Sequence, residues 1–174
     1  MTNDSAPASL AWLNALPAVE TEAEFLKCCG STRWSHAMTE RRPYTSIDEL
    51  TRTASEVWRS LDQADWLEAF HSHPRIGEKK AAAEVSQQSK QWSGQEQSGV
   101  SAADQNTIDL LAQLNSEYEE KFGFIFIVCA TGKSASEMLA ILRQRLPNDV
   151  ETELPIAAAE QAKITELRLK KLVH

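Results

Sequence analysis

Apolar residues recur at helical spacing along most of this chain. Between Ser46 and Leu61, the residues Ile47, Leu50, Ala54, Val57, Trp58 and Leu61 fall on one face, the period of an amphipathic helix. Start signals recur as regularly. Thr21 with Glu24, Ser46 with Glu49 and Ser134 with Glu137 have the spacing of a capping box, in which side chains satisfy the orphan amides of a first turn. The pattern predicts a helix from Thr21 that carries Phe25 and Leu26 and closes at Gly30. A short helix capped by Ser31 follows, through Trp34 and Met38, and must end by Pro43. After the Ser46 helix, Trp66, Leu67 and Phe70 mark a further turn or two that stops at His73-Pro74. Ser101 opens a helix with Ile108, Leu111, Leu114 and Tyr118 along one side and Gly123 at its end. Helices resume from Ser134 to about Arg145, stopped at Leu146-Pro147-Asn148, and from about Glu153 onward.

Two stretches break this pattern. Residues 78–100 are rich in Gln, Ser, Ala and Lys, a composition that reads as a solvated linker. Trp92, Gly94 and Gly99 argue against that, because a solvated linker has no use for a tryptophan. Phe124 to Val128 reads as a buried strand by propensity, but no second strand candidate accompanies it. A lone strand leaves its backbone donors and acceptors without a ladder. The segment therefore either pairs across a dimer or is an extended or helical part of the core. The expected fold is all-α, a single multi-helix domain over 1–174, with one extended or irregular apolar segment near 124–130. Residues 1–8 are expected to be a flexible tail.

Composition narrows the function more than the fold. With 174 residues, 42% of them hydrophobic, the chain can bury a core without staples. A net charge of −7 argues against nucleic acid or an acidic membrane as main partner; Arg168, Lys170 and Lys171 make only a small basic end. The cysteines are Cys28, Cys29 and Cys129, with no C-x-x-C pair, so neither a disulfide framework nor a zinc site is indicated. No signal peptide, spanning segment or C-terminal address is recognisable. Reduced thiols in the cytoplasm are the expectation.

Candidate chemistry begins at His71-Ser72-His73-Pro74-Arg75-Ile76-Gly77. His73 could simply complement the negative end of a helix. It could equally project into a cavity, with Pro74 fixing the backbone and Gly77 letting the chain turn past a ligand. Arg75 could clamp a carboxylate, though an exposed helix-end role is the simpler one. His71 and His73 could share a metal, but no third ligand stands at a recognisable spacing. In Trp92-Ser93-Gly94-Gln95-Glu96-Gln97-Ser98-Gly99-Val100, glycines offer close approach, Ser and Gln neutral hydrogen bonds, and Glu96 a carboxylate for protons or urea-like N–H groups. Arg168 could be an ordinary helix-end cation; its place between Leu167 and Leu169 also allows half-burial, and a half-buried guanidinium usually wants an anion.

Together these residues resemble the 2-oxo-4-hydroxy-4-carboxy-5-ureidoimidazoline (OHCU) decarboxylases. The resemblance rests on His73-Pro74-Arg75-Ile76-Gly77, on Ser93 to Val100, and on Leu114-Asn115-x-x-Tyr118-x-x-Lys121-Phe122-Gly123 running on to Ala130. Phe25-x-x-Cys28-Cys29-Gly30-Ser31-x-x-Trp34 with Met38, and Glu153-Leu154, Lys163-Ile164 and Leu167-Arg168-Leu169, extend it from about residue 16 to the end.

That resemblance implies an all-helical, cofactor-free carboxy-lyase of urate degradation, a homodimer that converts OHCU to (S)-allantoin. It implies catalytic roles for His73, Glu96 and Arg168 and no metal. Substrate binding would fall to Pro74, Ser93, Gln97 and the segment Phe126, Ile127, Val128, Cys129 and Ala130. Backbone aimed at a ligand would also explain a strand without a ladder. Arg75-Ile76 and Thr131 stand where many relatives carry Asp-Leu and arginine. The resemblance assigns them no role, and the departures suggest a bacterial-type branch. A metal-dependent hydrolase of a ureido or amide compound and a non-enzymatic helical interaction module are the alternatives.

Overall fold

The computed structural model describes residues 9–77 and 86–174. The expected tail at 1–8 and the first part of the 78–100 stretch lie outside the described residues. Among the described residues every regular element is a helix: α1 (Leu10–Ala15), α2 (Ala18–Cys28), α3 (Thr32–Glu40), α4 (Ile47–Ser60), α5 (Gln63–His71), α6 (Gln87–Glu96), a 3-10 turn (Ser98–Val100), α7 (Gln105–Phe122), α8 (Ala135–Arg145) and α9 (Val150–Leu172). Contacts group the described residues into two compact units. One holds those of Met1–Trp66 with Ala162–His174, the other those of Leu67–Gln161.

In the first unit, Ser9, Ser31 and Ser46 each cap a helix by accepting a backbone amide of its first turn. Thr21 does not. α2 begins earlier, directly after Pro17, and the buried Thr21 hydroxyl donates one turn back to the Pro17 carbonyl at 3.0 Å. A proline lacks the amide that a helix interior requires, and it set the start that the Thr-Glu spacing concealed. Gly30 is not the cap either: Cys29 is, in an extended conformation, with its amide on the Phe25 carbonyl. The core is aromatic. Phe25 meets Trp34 and Tyr44 edge to face, at centroid distances of 5.8 and 6.4 Å. The Trp34 indole donates to the Ala54 carbonyl at 3.1 Å, which docks α3 on α4. On α4, Leu50, Ala54, Val57 and Trp58 are buried, while Ile47 and Leu61 at its ends are only partly covered.

In the second unit, α7 starts at Gln105 under an Asp104 cap, later than the Ser101 start expected. Ser101 instead turns its hydroxyl onto the Ser98 carbonyl at 2.7 Å. Asp and Ser are near-equal caps, and the 3-10 turn just upstream had already claimed the serine. Gly123 ends α7 as expected, at φ +77° with its amide on the Glu119 carbonyl. Ser134 and Glu137 form the complete reciprocal box. α9 begins at Val150, three residues before Glu153, because Asp149 accepts the Thr152 amide at 2.7 Å.

Residues 125–130 belong to neither strand nor helix, and Phe126 to Ala130 are buried. Side chains replace the missing ladder. Arg145 donates to the Ile127 carbonyl at 2.7 Å, Glu160 accepts the Cys129 amide at 2.7 Å, and Lys133 donates to the Cys129 carbonyl at 2.7 Å. Arg145 is itself held. Its Nε donates to Glu153 at 2.6 Å, and its guanidinium lies 4.7 Å from the centroid of the Phe126 ring. Glu153, fully buried, also accepts the Tyr118 hydroxyl at 2.5 Å and the side-chain Nδ2 of Asn148 at 2.9 Å. Burial, and then the bond to Glu153, pushes the Tyr118 phenol far above its ordinary range.

Removing one member of this buried pair leaves an uncompensated charge. Arg145→Met or Glu153→Leu is therefore expected to cost about 3–5 kcal/mol, and the double variant less than either single change, as read from urea denaturation. Additive costs would refute the coupling. The helix starts add a pH dependence. Glu49, Asp62, Asp104, Glu137 and Asp149 are held below their ordinary values, each chiefly by hydrogen bonds that N–H or O–H groups donate to the carboxylate. A lowered folded value makes each contribution complete above the ordinary 4.5 of glutamate or 3.8 of aspartate, and it is lost as pH falls through the folded value. The melting temperature followed by circular dichroism should hold steady down to about pH 5 and decline below about pH 4.

Candidate active site

His73 stands in the turn that ends α5. Its amide donates to the Phe70 carbonyl at 3.2 Å, and Phe70 is anchored against Phe124 at a ring distance of 5.5 Å. Pro74 follows and bars any continuation of the helix. The ring is also held at its other end, where Nε2 lies 2.6 Å from Oε1 of the buried Gln161. Arg75 points elsewhere: its Nε donates to Glu119 of α7 at 2.7 Å, so this guanidinium ties the loop down. His71 is exposed at the end of α5. No group of three His, Cys, Asp or Glu side chains arranged to hold a metal occurs among the described residues.

The second motif folds against the first. Described residues from Ser86 onward form α6, with Trp92, Ser93 and Glu96 buried on one side, and the tryptophan explains why this part of the stretch is structured. Gln97 ends the helix and accepts the Gly77 amide at 3.0 Å. Gly77 sits at φ +87°, a conformation costly for other residues, and lies close to Val100. The two glycines of the second motif differ. A Cβ on Gly99 would sit 2.2 Å from the Lys133 carbonyl oxygen, so this close approach demands glycine; a Cβ on Gly94 would meet nothing.

The third motif completes the arrangement in the same unit. The Cys129 thiol is raised first by burial, then by the carboxylates of Glu160 and Glu96, against the pull of Lys133. His73, Pro74, Ser93, Glu96, Gln97 and Phe126 to Ala130 thus all belong to one compact unit. Such a set offers an imidazole, a buried carboxylate, neutral hydrogen-bonding side chains and a stretch of fixed backbone.

Arg168 belongs to the other unit. It is 3% exposed rather than half-buried, and it donates to the Lys27 carbonyl at 3.4 Å. Its charge also opposes the burial that pushes the Cys28 thiol up.

Sequence reasoning missed Glu160 and Gln161, and named Arg145, Glu153 and Tyr118 only as parts of helices or of a resemblance, with no role in the site. A signal was available for some of them. Glu153, Ala157, Gln161, Thr165, Arg168 and Leu172 recur every three or four residues on α9, and all are buried. Polar residues on such a stripe are buried polar groups, which must be hydrogen-bonded. Asn115 likewise lies between Leu111 and Tyr118 on the buried stripe of α7. Its Nδ2 donates to the Leu111 carbonyl at 2.9 Å, and its Oδ1 has no donor among the described residues.

Comparison with known proteins supports one grouping. A model of the OHCU decarboxylase family matches residues 14–170. The uric acid degradation bifunctional protein TTL of Arabidopsis thaliana is 40% identical over 87% of this chain and 47% of its own length. The bifunctional protein PucL of Bacillus subtilis is 29% identical over 76% of this chain and 26% of its own. The chain thus spans less than half the length of these two curated relatives. Among solved structures, an OHCU decarboxylase crystallised in the presence of (S)-allantoin superposes with a TM-score of 0.73, at 38% identity, over 86% of this chain and 96% of that one. An (S)-allantoin synthase shares the fold at TM-score 0.72 and 17% identity, over 97% of this chain and 54% of that one. The chain belongs to the OHCU decarboxylase family.

Proposed function

We propose that this protein decarboxylates OHCU to (S)-allantoin. The observation that carries the reading is the placement of His73 and the buried Glu96 in one unit with the side-chain-held backbone of 126–130. In the substrate, carboxylate and hydroxyl share a ring carbon next to a C=N bond. When the carbon–carboxylate bond breaks, its electron pair flows into that C=N and the ring nitrogen takes a proton. The hydroxyl then gives up its proton and becomes a carbonyl, while a proton adds to the carbon bearing the ureido group. The substrate is its own electron sink.

What the protein must supply is orientation, exclusion of water and control of protons. His73 is the acid/base at the hydroxyl and ring nitrogen. Glu96 binds the ureido or ring N–H groups and shuttles a proton. For Arg168, the binding of an anionic or carbonyl oxygen rests on the family resemblance alone. Ser93, Gln97 and the backbone from Phe126 to Ala130 hold the substrate, with Pro74 bracing the histidine. Preorganised donors of this kind are worth several kcal/mol when water is excluded. We also propose a homodimer, which sedimentation velocity would test.

Protonation from one face creates one enantiomer, whereas the uncatalysed reaction gives a racemate. With freshly generated OHCU, the protein should speed the growth of the (S)-allantoin circular dichroism signal; no acceleration over buffer would refute the reading. His73→Asn and Glu96→Gln should each lower kcat by about 10²–10⁴-fold with the helical spectrum unchanged, and a variant of full activity would remove that residue from the mechanism.

A further inference from the structure

α2 carries apolar residues on two faces. Thr21, Phe25 and Cys28 turn inward and are buried. Val19, Ala23 and Leu26 recur four and three residues apart on the opposite face. All three are exposed, Val19 at 81% and Leu26 at 39%. In α1, just upstream, Ala11, Trp12 and Ala15 are exposed as well. Five large hydrophobic residues are exposed among the described residues, and Trp12, Val19 and Leu26 are three of them. Scattered apolar residues on a surface need no explanation, but a clustered stripe marks a contact.

The charges beside the stripe indicate what covers it. At 3.6 residues per turn, Glu20 and Lys27 lie on one flank of the stripe, near its two ends. Glu22 lies on the other flank, where its carboxylate is 2.7 Å from Nδ1 of His36. A parallel copy of α2 would bring Lys27 to Glu22, which His36 already holds, and would leave the exposed Glu20 unmatched. An antiparallel copy, turned about a two-fold axis near Ala23, sets Glu20 against Lys27 at both ends of the seam. The small Ala23 then lies at the centre, where two backbones approach most closely, with Val19 and Leu26 on either side of it. Lys27 keeps its bond to Glu24 at 2.5 Å in this arrangement, the two carboxylates sharing one ammonium.

We propose that α2 packs antiparallel against α2 of a second copy of this chain through Val19, Ala23 and Leu26, with Glu20 paired to Lys27 across the two-fold axis. The 11 residues of α2 run about 16 Å. That is short for the roughly 800 Å² that a stable interface takes from each partner, and the exposed residues of α1 bring the remainder. The inference rests on the homodimer proposed above and says which face forms it.

Sedimentation velocity of the full chain at micromolar concentration tests it. The wild type should sediment as a dimer, and a monomer refutes the dimer and the interface together. Val19→Glu combined with Leu26→Glu should raise the dimer dissociation constant by about 100-fold, the scale of a lost hot spot. A dimer that survives this double change refutes the interface alone. Glu20→Lys should weaken the dimer by about tenfold, and adding Lys27→Glu should restore it, because two exchanged pairs replace two. No restoration overturns the antiparallel register. Should these variants lose their helical spectrum, Ala23→Cys decides. A short bis-maleimide should join two copies of that variant into a species of twice the mass. The wild type, with Cys28, Cys29 and Cys129 buried, should give none. Absence of that species in Ala23→Cys overturns the proposal.

Discussion

The second unit depends on a charge kept out of water. Arg145 and Glu153 are both buried, and neither would be tolerable alone in that setting. Their pairing allows Arg145 to reach the Ile127 carbonyl and Glu153 to gather Tyr118 and Asn148. Without them, the apolar run after Gly123 would bury backbone groups that no neighbouring strand could satisfy. The ion pair stabilises little by itself. It makes an irregular backbone permissible inside a helical protein, and so lets that backbone serve the site.

The same logic explains what could be read from residue order alone. Helix existence was legible wherever an apolar stripe coincided with a cap, as in α4 and α8. Starts went astray at Thr21 and Ser101, where a proline or a second acidic cap stood nearby and competed locally. Both residues have hydroxyls that serve a preceding carbonyl instead, a choice that helix-forming tendencies do not distinguish. The irregular run at 124–130 was legible as a problem, a strand without a partner. Its solution was not, because the partners come from Arg145, Lys133 and Glu160, residues that look like ordinary surface charges.

The candidate site divides in a similar way. His73, Glu96 and Gln97 stood out through their company with proline, glycine and tryptophan. Their supports did not. Gln161 is one polar letter in a long helix, and only its place on the buried stripe of that helix distinguishes it. Residues that touch a substrate are confined to a few side-chain types, whereas those that aim them need only the right length and one good acceptor. Composition therefore favours finding the first kind over the second.

Lys133 shows how tightly the pieces are geared. Its ammonium holds the Cys129 carbonyl, its own carbonyl abuts Gly99, and its amide closes a turn onto the Ala130 carbonyl at 3.0 Å. Gly132 makes that turn at φ +76°. Most surface connections in a protein can gain or lose a residue over evolutionary time with little harm. This one cannot, since a single insertion would shift the backbone of 126–130 and the approach to Gly99 together. Its length is a fixed gauge, and natural variation in the family should accumulate in other loops while leaving this one uniform.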